Sequence, residues 1–531
     1  MRKLYKYISK HILTAFLLTL LIANVSYSQK IPKSYNIQSG ALSTLDTTPK
    51  SNTVEKVLLA GDTVWIATSK GLSKSTDGGN NWYNYYTSTE FGYESASAIA
   101  CAHGILCVAT WHYSTTSSGV YATGSGLKIS SDYGKTWTLI DQMIDSLNDT
   151  LIIYGNNTIS ALPISTEIQN FIRDIAITSD AIWVVSNSAG LRKSTDMGAT
   201  WQRVVLPPDN LDSIKPTDNL SFKLRPKSGS VGNLNHIGFS ILAVDDDTLY
   251  VGTAGGINKS TDGGVSWTKF SRQNQDYPIS GNHILKIRQN PIDKTIWAAT
   301  WKADEDEEYW GVSHTANGGK TWTTSLNDSR TLDFTFPEII SGSDVTADVI
   351  AVTQDGLFRT SNNGVSWLRS SQVYDNQRNI TLLTDTFLSG AADNSSSSIT
   401  KLWFGSTDGL VKLTLSSSSF WDGDWSIFLV SAALNSSTET YAFPSPFSPS
   451  VSSTRIKYSL TSASNVTIRI FDFGMNLVKT LIQNSSRNAG ENYEAWNGRD
   501  DASSFAPNGV YFYRIDINDG KPLFGKIMVV R

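Results

Sequence analysis

The strongest constraint on this chain is an eight-residue pattern that recurs six times: a hydroxyl residue, a spacer, Asp or Asn, a spacer, Gly, two spacers and Trp. The copies begin at Ser75, Ser130, Ser194, Ser260, Thr315 and Thr360 and end at Trp82, Trp137, Trp201, Trp267, Trp322 and Trp367. Successive tryptophans lie about 45 to 66 residues apart, the length of one four-stranded sheet with variable connections. Each copy follows a second phrase that is apolar on both faces, such as Val64-Trp-Ile-Ala-Thr68, Ile182-Trp-Val-Val-Ser186 and Ile296-Trp-Ala-Ala-Thr300. Runs of this kind suit strands buried between neighbouring sheets. A seventh phrase, Leu402-Trp-Phe-Gly-Ser406, leads to a degraded pattern ending near Trp421 or Trp425. Seven phrases predict an all-β chain whose main part is a seven-bladed β-propeller.

The pattern itself reads as a hairpin between the two outer strands of a blade. The short Asp or Asn side chain accepts hydrogen bonds from turn N–H groups, and Gly takes the positive φ that the turn requires. The Trp then returns over apolar surface with its indole N–H in search of a partner. These residues resemble the Asp-box repeat of bacterial neuraminidases, and the match covers most of residues 53–425. In that family the box lies away from the active site, so the resemblance implies a structural role for these positions and no catalytic residue among them. Sialidases themselves depend on an arginine triad, a Tyr–Glu pair and an acid. Their Arg-Ile-Pro signature is missing near the first repeat. A xyloglucanase-like glycosidase pairs two propellers, and this chain has room for one. A glycosidase needs two carboxyls at a defined separation, and the sequence brings no such pair together. Asp174 and the acids of residues 304–308 are the available candidates. A non-catalytic protein is therefore expected, with a glycoside hydrolase as the alternative.

Residues 1–28 read as an export signal. Arg2, Lys3, Lys6 and Lys10 precede an apolar run over residues 12–25, and small residues stand before Gln29. Without them the chain carries 40 Lys+Arg against 48 Asp+Glu, a net charge near −8. That balance argues against nucleic-acid binding, which needs a basic face. No cofactor is indicated. The run Asp304-Glu-Asp-Glu-Glu308 reads as a calcium loop or, lacking alternating spacers and Gly, as a solvated charge run. Asp245-Asp-Asp247 aligns with turns elsewhere. The two cysteines, Cys101 and Cys107, align as partners across a tight hairpin, either as a disulfide or as two thiols.

Insertions point to the working face. Residues 142–170 and 205–236 read as long inter-blade loops, and residues 111–124 and 301–310 as enlarged second-to-third-strand loops. Long loops on a rigid scaffold commonly carry binding. Trp111, His112, Tyr113, Trp301, Tyr309 and Trp310 lie in the latter two and are the candidate ligand-binding residues, suited to stacking on sugar rings or clamping a peptide. The expected ligand is an extracellular glycan, polymer or protein.

After a Ser/Thr/Asn linker, residues 431–440, the pattern changes. Tyr441-Ala-Phe-Pro444-Ser-Pro446-Phe447 opens a set of short runs with period-two alternation, including residues 454–460, 465–471 and 509–515. These predict a small β-sandwich over residues 441–531, with Trp496 in its core. The Pro-x-Pro-Phe opening, Trp496-Asn-Gly-Arg-Asp500, Asn508-Gly-Val-Tyr-Phe-Tyr-Arg514 and the closing Gly525-Lys-Ile-Met-Val-Val-Arg531 resemble the C-terminal sorting domain of the type IX secretion system. They are also similar to the Ig-like domain of the flagellar hook-capping protein. Ser445 replaces the usual Asn and Arg531 the common Lys. The resemblance implies recognition by the type IX machinery and delivery outside the cell or to its outer surface. A propeller over residues 29–430 that recognises a ligand, or a protein–protein scaffold, is the expectation.

Overall fold

The computed structural model describes residues 46–531, apart from 227–231, 304–306, 342, 396–399, 416–419, 433, 435 and 519. The export-signal expectation lies outside the described residues. The regular secondary structure of the described part is almost wholly β-strand, and it contains no helix long and apolar enough to cross a membrane.

Seven antiparallel sheets follow one another along the described chain up to Phe428, with strands added in sequence order in nearly every case. Their first strands are Val54–Ala60, Ser95–Ala102, Ile172–Ile177, Gly238–Ala243, His283–Gln289, Thr331–Thr335 and Phe387–Asp393. Each first strand packs against the next, and Phe387–Asp393 packs back against Val54–Ala60, so the sheets close a ring. The apolar phrases of the sequence are the second strands, fully buried in Ile182–Ser186 and Val349–Thr353. The hydroxyl that ends the phrase has a task. Thr68, Thr253, Thr353 and Ser406 each donate to the carbonyl of the Gly that opens the third strand, at 2.7–2.9 Å.

The repeated turn forms as its residues dictate. Ser75 Oγ accepts from Gly79 N–H at 2.9 Å and donates to Asp77 Oδ1, which accepts Asn81 N–H at 2.9 Å. The same bonds recur from Ser130 to Thr136 and from Thr360 to Ser366. In the Ser194 copy the Thr200 hydroxyl and N–H lower the Asp196 pKa to about 2. The tryptophan closes the turn: Trp82 and Trp267 donate Nε1–H to the box glycine carbonyl at 3.1 Å.

Gly79 does more than turn. A Cβ there would meet Phe428 at 2.7 Å and Trp403 at 3.1 Å, both on the sheet that closes the ring. Trp403 lies under Lys412, whose Nζ is 5.3 Å from the ring centroid and donates to Gly78 O at 3.1 Å. The clasp recurs at other junctions. Lys74 lies over Trp65 and donates to Tyr133 O, next to Gly134, and Lys259 lies over Tyr250 and donates to Gly318 O, next to Gly319.

Three expectations need correction. The long inter-sheet connections are not open loops. Leu151–Tyr154, Asn157–Ala161 and Lys223–Leu224 form a separate small sheet, and Ser213–Ile214 adds a fifth strand to the outer edge of the fourth large sheet. Ile159 and Ile214 supply the apolar reason, since they are buried with Trp183 and Trp267. Cys101 pairs with Leu106 and Cys107 with Ala100, so one residue of register puts the two side chains on opposite faces and both remain free thiols. Of the acidic run, Glu308 is buried rather than solvated, because its carboxylate accepts from Asn282 and Ala303 N–H groups and the Asn282 amide. Residues 304–306 of that run lie outside the described residues. Asp245, as expected, closes a turn by accepting Asp247 and Thr248 N–H.

The C-terminal part has two facing antiparallel sheets, one of Thr440–Phe443, Thr454–Leu460 and Gly490–Trp496, the other of Leu477–Arg487, Ser464–Phe471, Gly509–Ile517 and Leu523–Val529. Inward side chains of both, among them Tyr458, Ile468, Trp496, Tyr513 and Ile527, make one core. Trp496 is fully buried and donates to Arg499 O within its own turn. This part docks on the ring. Arg455, itself buried, forms a bidentate ion pair with Asp408 and donates to Thr381 O, while Tyr493 joins the core of the seventh sheet.

The two glycines of the first repeat separate turn strain from packing. Both have positive φ, but a Cβ on Gly78 meets nothing. Gly78→Ala is expected to cost about 1–2 kcal/mol for the left-handed backbone. Gly79→Ala adds about 1–3 kcal/mol of overpacking at the closing junction. Urea unfolding of the two variants measures the difference.

Candidate functional site

Every first strand of the ring slips register once, near its start. The slips lie between Val54 and Lys56, Ala96 and Ala98, Ile172 and Asp174, Gly238 and Ser240, Ile284 and Lys286, Thr331 and Asp333, and Phe387 and Ser389. A bulge of this kind re-aims the extra residue. Here all seven extra residues line one cavity of about 320 Å³ at the mouth of the ring axis. Glu55, Ser97 and Arg173 come from the first three sheets, and Phe239, Leu285, Leu332 and Leu388 from the last four. The mouth therefore has one continuous polar arc and one continuous apolar arc. Lys56, Trp111 and Phe171 complete the lining.

The charges in the polar arc are only partly engaged. Arg173 lies over the Phe171 ring at 4.5 Å and donates Nε–H to Asn187 Oδ1 at 2.9 Å. Burial pushes its pKa down and the Glu55 carboxylate opposes that. Among the described residues the side chains of Glu55 and Lys56 form no hydrogen bond or direct ion pair. Just beyond the bulges of the third, fifth and sixth sheets the charges are locked. Asp174 Oδ2 accepts Lys286 Nζ at 2.7 Å, Ser240 Oγ at 3.0 Å and Ile241 N–H at 3.1 Å. Asp333 takes Arg288 in a bidentate pair at 2.9 and 3.0 Å. Burial opposes ionisation of both carboxyls, but the neighbouring cations outweigh it and hold both below 3.8.

The sequence candidates divide. Trp111 lines the mouth, stacked on Phe171 at 5.6 Å with Tyr113 edge-on at 4.8 Å. The enlarged loop that carries it is a long hairpin of Ile105–Thr116 and Gly119–Ser130. Tyr113 is 69% exposed there, and His112 is held between Ser125 and Ser114 hydroxyls. Trp301 donates Nε1–H to Thr331 O at 2.7 Å and does not line the cavity. Tyr309 bonds Thr324, and Trp310 lies under Arg330, so neither reaches the mouth. Sequence reasoning missed the bulge residues. Their signal was a short column in the first strands, Val54-Glu-Lys-Val57, Ile172-Arg-Asp-Ile175 and Ile284-Leu-Lys-Ile287, in which a polar residue interrupts strand alternation.

A larger cavity of about 520 Å³ lies off the axis beside Asp209, Lys269, Asn274, Asn282 and Glu308. Its polar groups largely satisfy one another: Lys269 donates to Pro208 and Asp209 carbonyls, Asn274 to Asp212, and Asn282 to Gln273 and Glu308. The described residues contain no cluster of His, Cys, Asp and Glu suited to a metal ion.

Neither a family model nor a curated protein matches the chain. Several solved structures are similar at low identity. PorZ, a bacterial surface component of the type-IX secretion system of Porphyromonas gingivalis, is 14% identical with a TM-score of 0.31, over 89% of this chain and 64% of PorZ. YCF48 from Cyanidioschyzon merolae is 15% identical with a TM-score of 0.40, over 70% of this chain and 98% of that one. The extracellular domain of the hybrid two-component system BT3049 of B. thetaiotaomicron is 11% identical with a TM-score of 0.24, over 88% and 77%.

The ion pairs along the axis predict an acid limit to stability. A carboxyl held below 3.8 in the fold stabilises it fully above that value and loses the contribution as pH falls through the lower, folded-state pKa. Stability is therefore expected to drop below about pH 4. Asp333→Asn, which leaves the partly exposed Arg288 without its carboxylate, is expected to cost about 1–3 kcal/mol at neutral pH, read from denaturant unfolding across a pH series.

Proposed function

We propose that the chain is a seven-bladed Asp-box β-propeller followed by an Ig-like sorting domain, secreted or held at the outer cell surface, that recognises a ligand at its axial mouth without catalysis. One observation carries the reading: seven separate bulges aim their side chains into the same cavity. The bulges leave these seven side chains on the cavity surface rather than in the fully buried core. The box turns, the junction glycines and the Trp496 turn support the two domain assignments. Non-catalytic binding is favoured by the carboxyls. Glu55 is the carboxylate in the mouth, while Asp174 and Asp333 are committed to Lys286 and Arg288. A glycosidase needs a second carboxyl free to accept or donate a proton.

The full chain, immobilised and incubated with polysaccharides and sialylated glycans, tests this reading. The glycans are expected to remain intact, and smaller products in the mass spectrum would overturn it. Arg173→Ala and Trp111→Ala are expected to weaken ligand binding at the mouth at least about tenfold, the scale of one lost charged hydrogen bond or aromatic contact. Trp301→Ala is expected to leave it unchanged. For the tail, deletion of residues 441–531 should strand the exported protein in the periplasm, and normal surface delivery of the truncated chain would refute the sorting role.

A further inference from the structure

We propose that the axial mouth takes a short peptide segment presenting a large apolar side chain beside a carboxylate. The inference rests on the mouth being the ligand site and names what fits it. Circular order makes the argument. Lys56 and Arg173 stand in the polar arc opposite one carboxylate, Glu55, so that arc carries an excess positive charge. The apolar arc of Phe239, Leu285, Leu332 and Leu388 offers no side-chain hydrogen bond. A sugar placed there would bury hydroxyls without partners, which is unfavourable, whereas an apolar side chain gains from the same surface. Stacking is restricted too, since one face of Trp111 is already covered by Phe171. The volume, about 320 Å³, stands at the small end of ligand cavities, which run from about 300 to 1,000 Å³. It holds a side chain or two, not an oligosaccharide run. Further along the first strands the Asp174–Lys286 and Asp333–Arg288 pairs present charge, which disfavours a long acyl chain threading the axis.

A random dodecapeptide library displayed on phage is panned on the full chain and on its Lys56→Ala/Arg173→Ala double variant. Enriched sequences are expected to place Asp or Glu next to Leu, Met or Phe. Synthetic versions should bind at least tenfold more weakly to the double variant and to Leu332→Asn by fluorescence polarisation, with thermal unfolding confirming that both variants fold. Replacing the peptide's acid by its amide should weaken binding comparably. Enrichment of peptides without the acid–apolar pair would overturn the proposal. Enriched peptides that bind the variants unchanged would overturn both the proposal and the mouth as the site. If polygalacturonate binds through Lys56 and Arg173 while no peptide is enriched, the peptide proposal falls and the mouth stands.

Discussion

The ring depends on a clasp between neighbouring sheets. A second-strand aromatic ring, such as Trp65, Trp183 or Trp403, receives the box glycine of the adjoining sheet on its edge. A third-strand lysine lies over the same ring, and three such lysines reach across to the next box turn. Burial of the aromatic surface supplies the driving force, and the lysine adds a cation–π contact and a hydrogen bond from one group. Closure relies on the same device, because each sheet is built from its own segment of chain. The seventh sheet meets the first through Trp403, Phe428 and Lys412, helped by Gly409 N–H to Asn52 O at 2.6 Å. A box without glycine would push two sheets apart, and in a closed ring that displacement has nowhere to go.

This explains why so much of the fold was legible in the sequence. Two parts of the clasp, the second-strand aromatic and the box glycine, belong to the two repeated phrases, so reading those phrases was reading most of the junction, while the third-strand lysines lie outside both. The tail was legible for a different reason, since Ser464–Phe471 and Gly509–Ile517 alternate buried and less buried residues along the core that holds Trp496 and Tyr513. What escaped had no local signature. The rim sheet pairs Ser160 with Lys223, and the dock pairs Arg455 with Asp408, contacts fixed by the assembled ring. The cysteine partnering was off by one residue of register, a shift that reverses every side chain in a strand, which leaves the two-thiol alternative.

The mouth was missed because its bulge residues lie in the first strands, which carry neither of the two repeated phrases. The enlarged loops drew attention because insertions are visible along a sequence, and of their aromatics Trp111 reached the cavity. A bulge inserts one residue and leaves the strand otherwise intact. Only when the seven first strands are superposed does the repeated break appear, with Lys56, Asp174, Ser240, Lys286, Asp333 and Ser389 all directly after it. Those polar residues could not follow strand alternation into an apolar sheet interface without partners, and the bulge turns them toward the axis, where Asp174, Ser240 and Lys286 bond one another.

That arrangement divides labour between two columns of the same strands. The residues after the bulges tie the sheets together along the axis: Lys286 on the fifth sheet reaches Asp174 on the third, and Arg288 reaches Asp333 on the sixth. None of the bulge residues joins the fully buried core, although Leu285 packs against the core shared by the fifth and sixth sheets and Phe239 against His283. A position outside the fully buried core can change in size and charge at less cost to the ring than one inside it. The same scaffold thus carries a polar arc on three sheets and an apolar arc on four, made by seven side chains that lie outside the fully buried core.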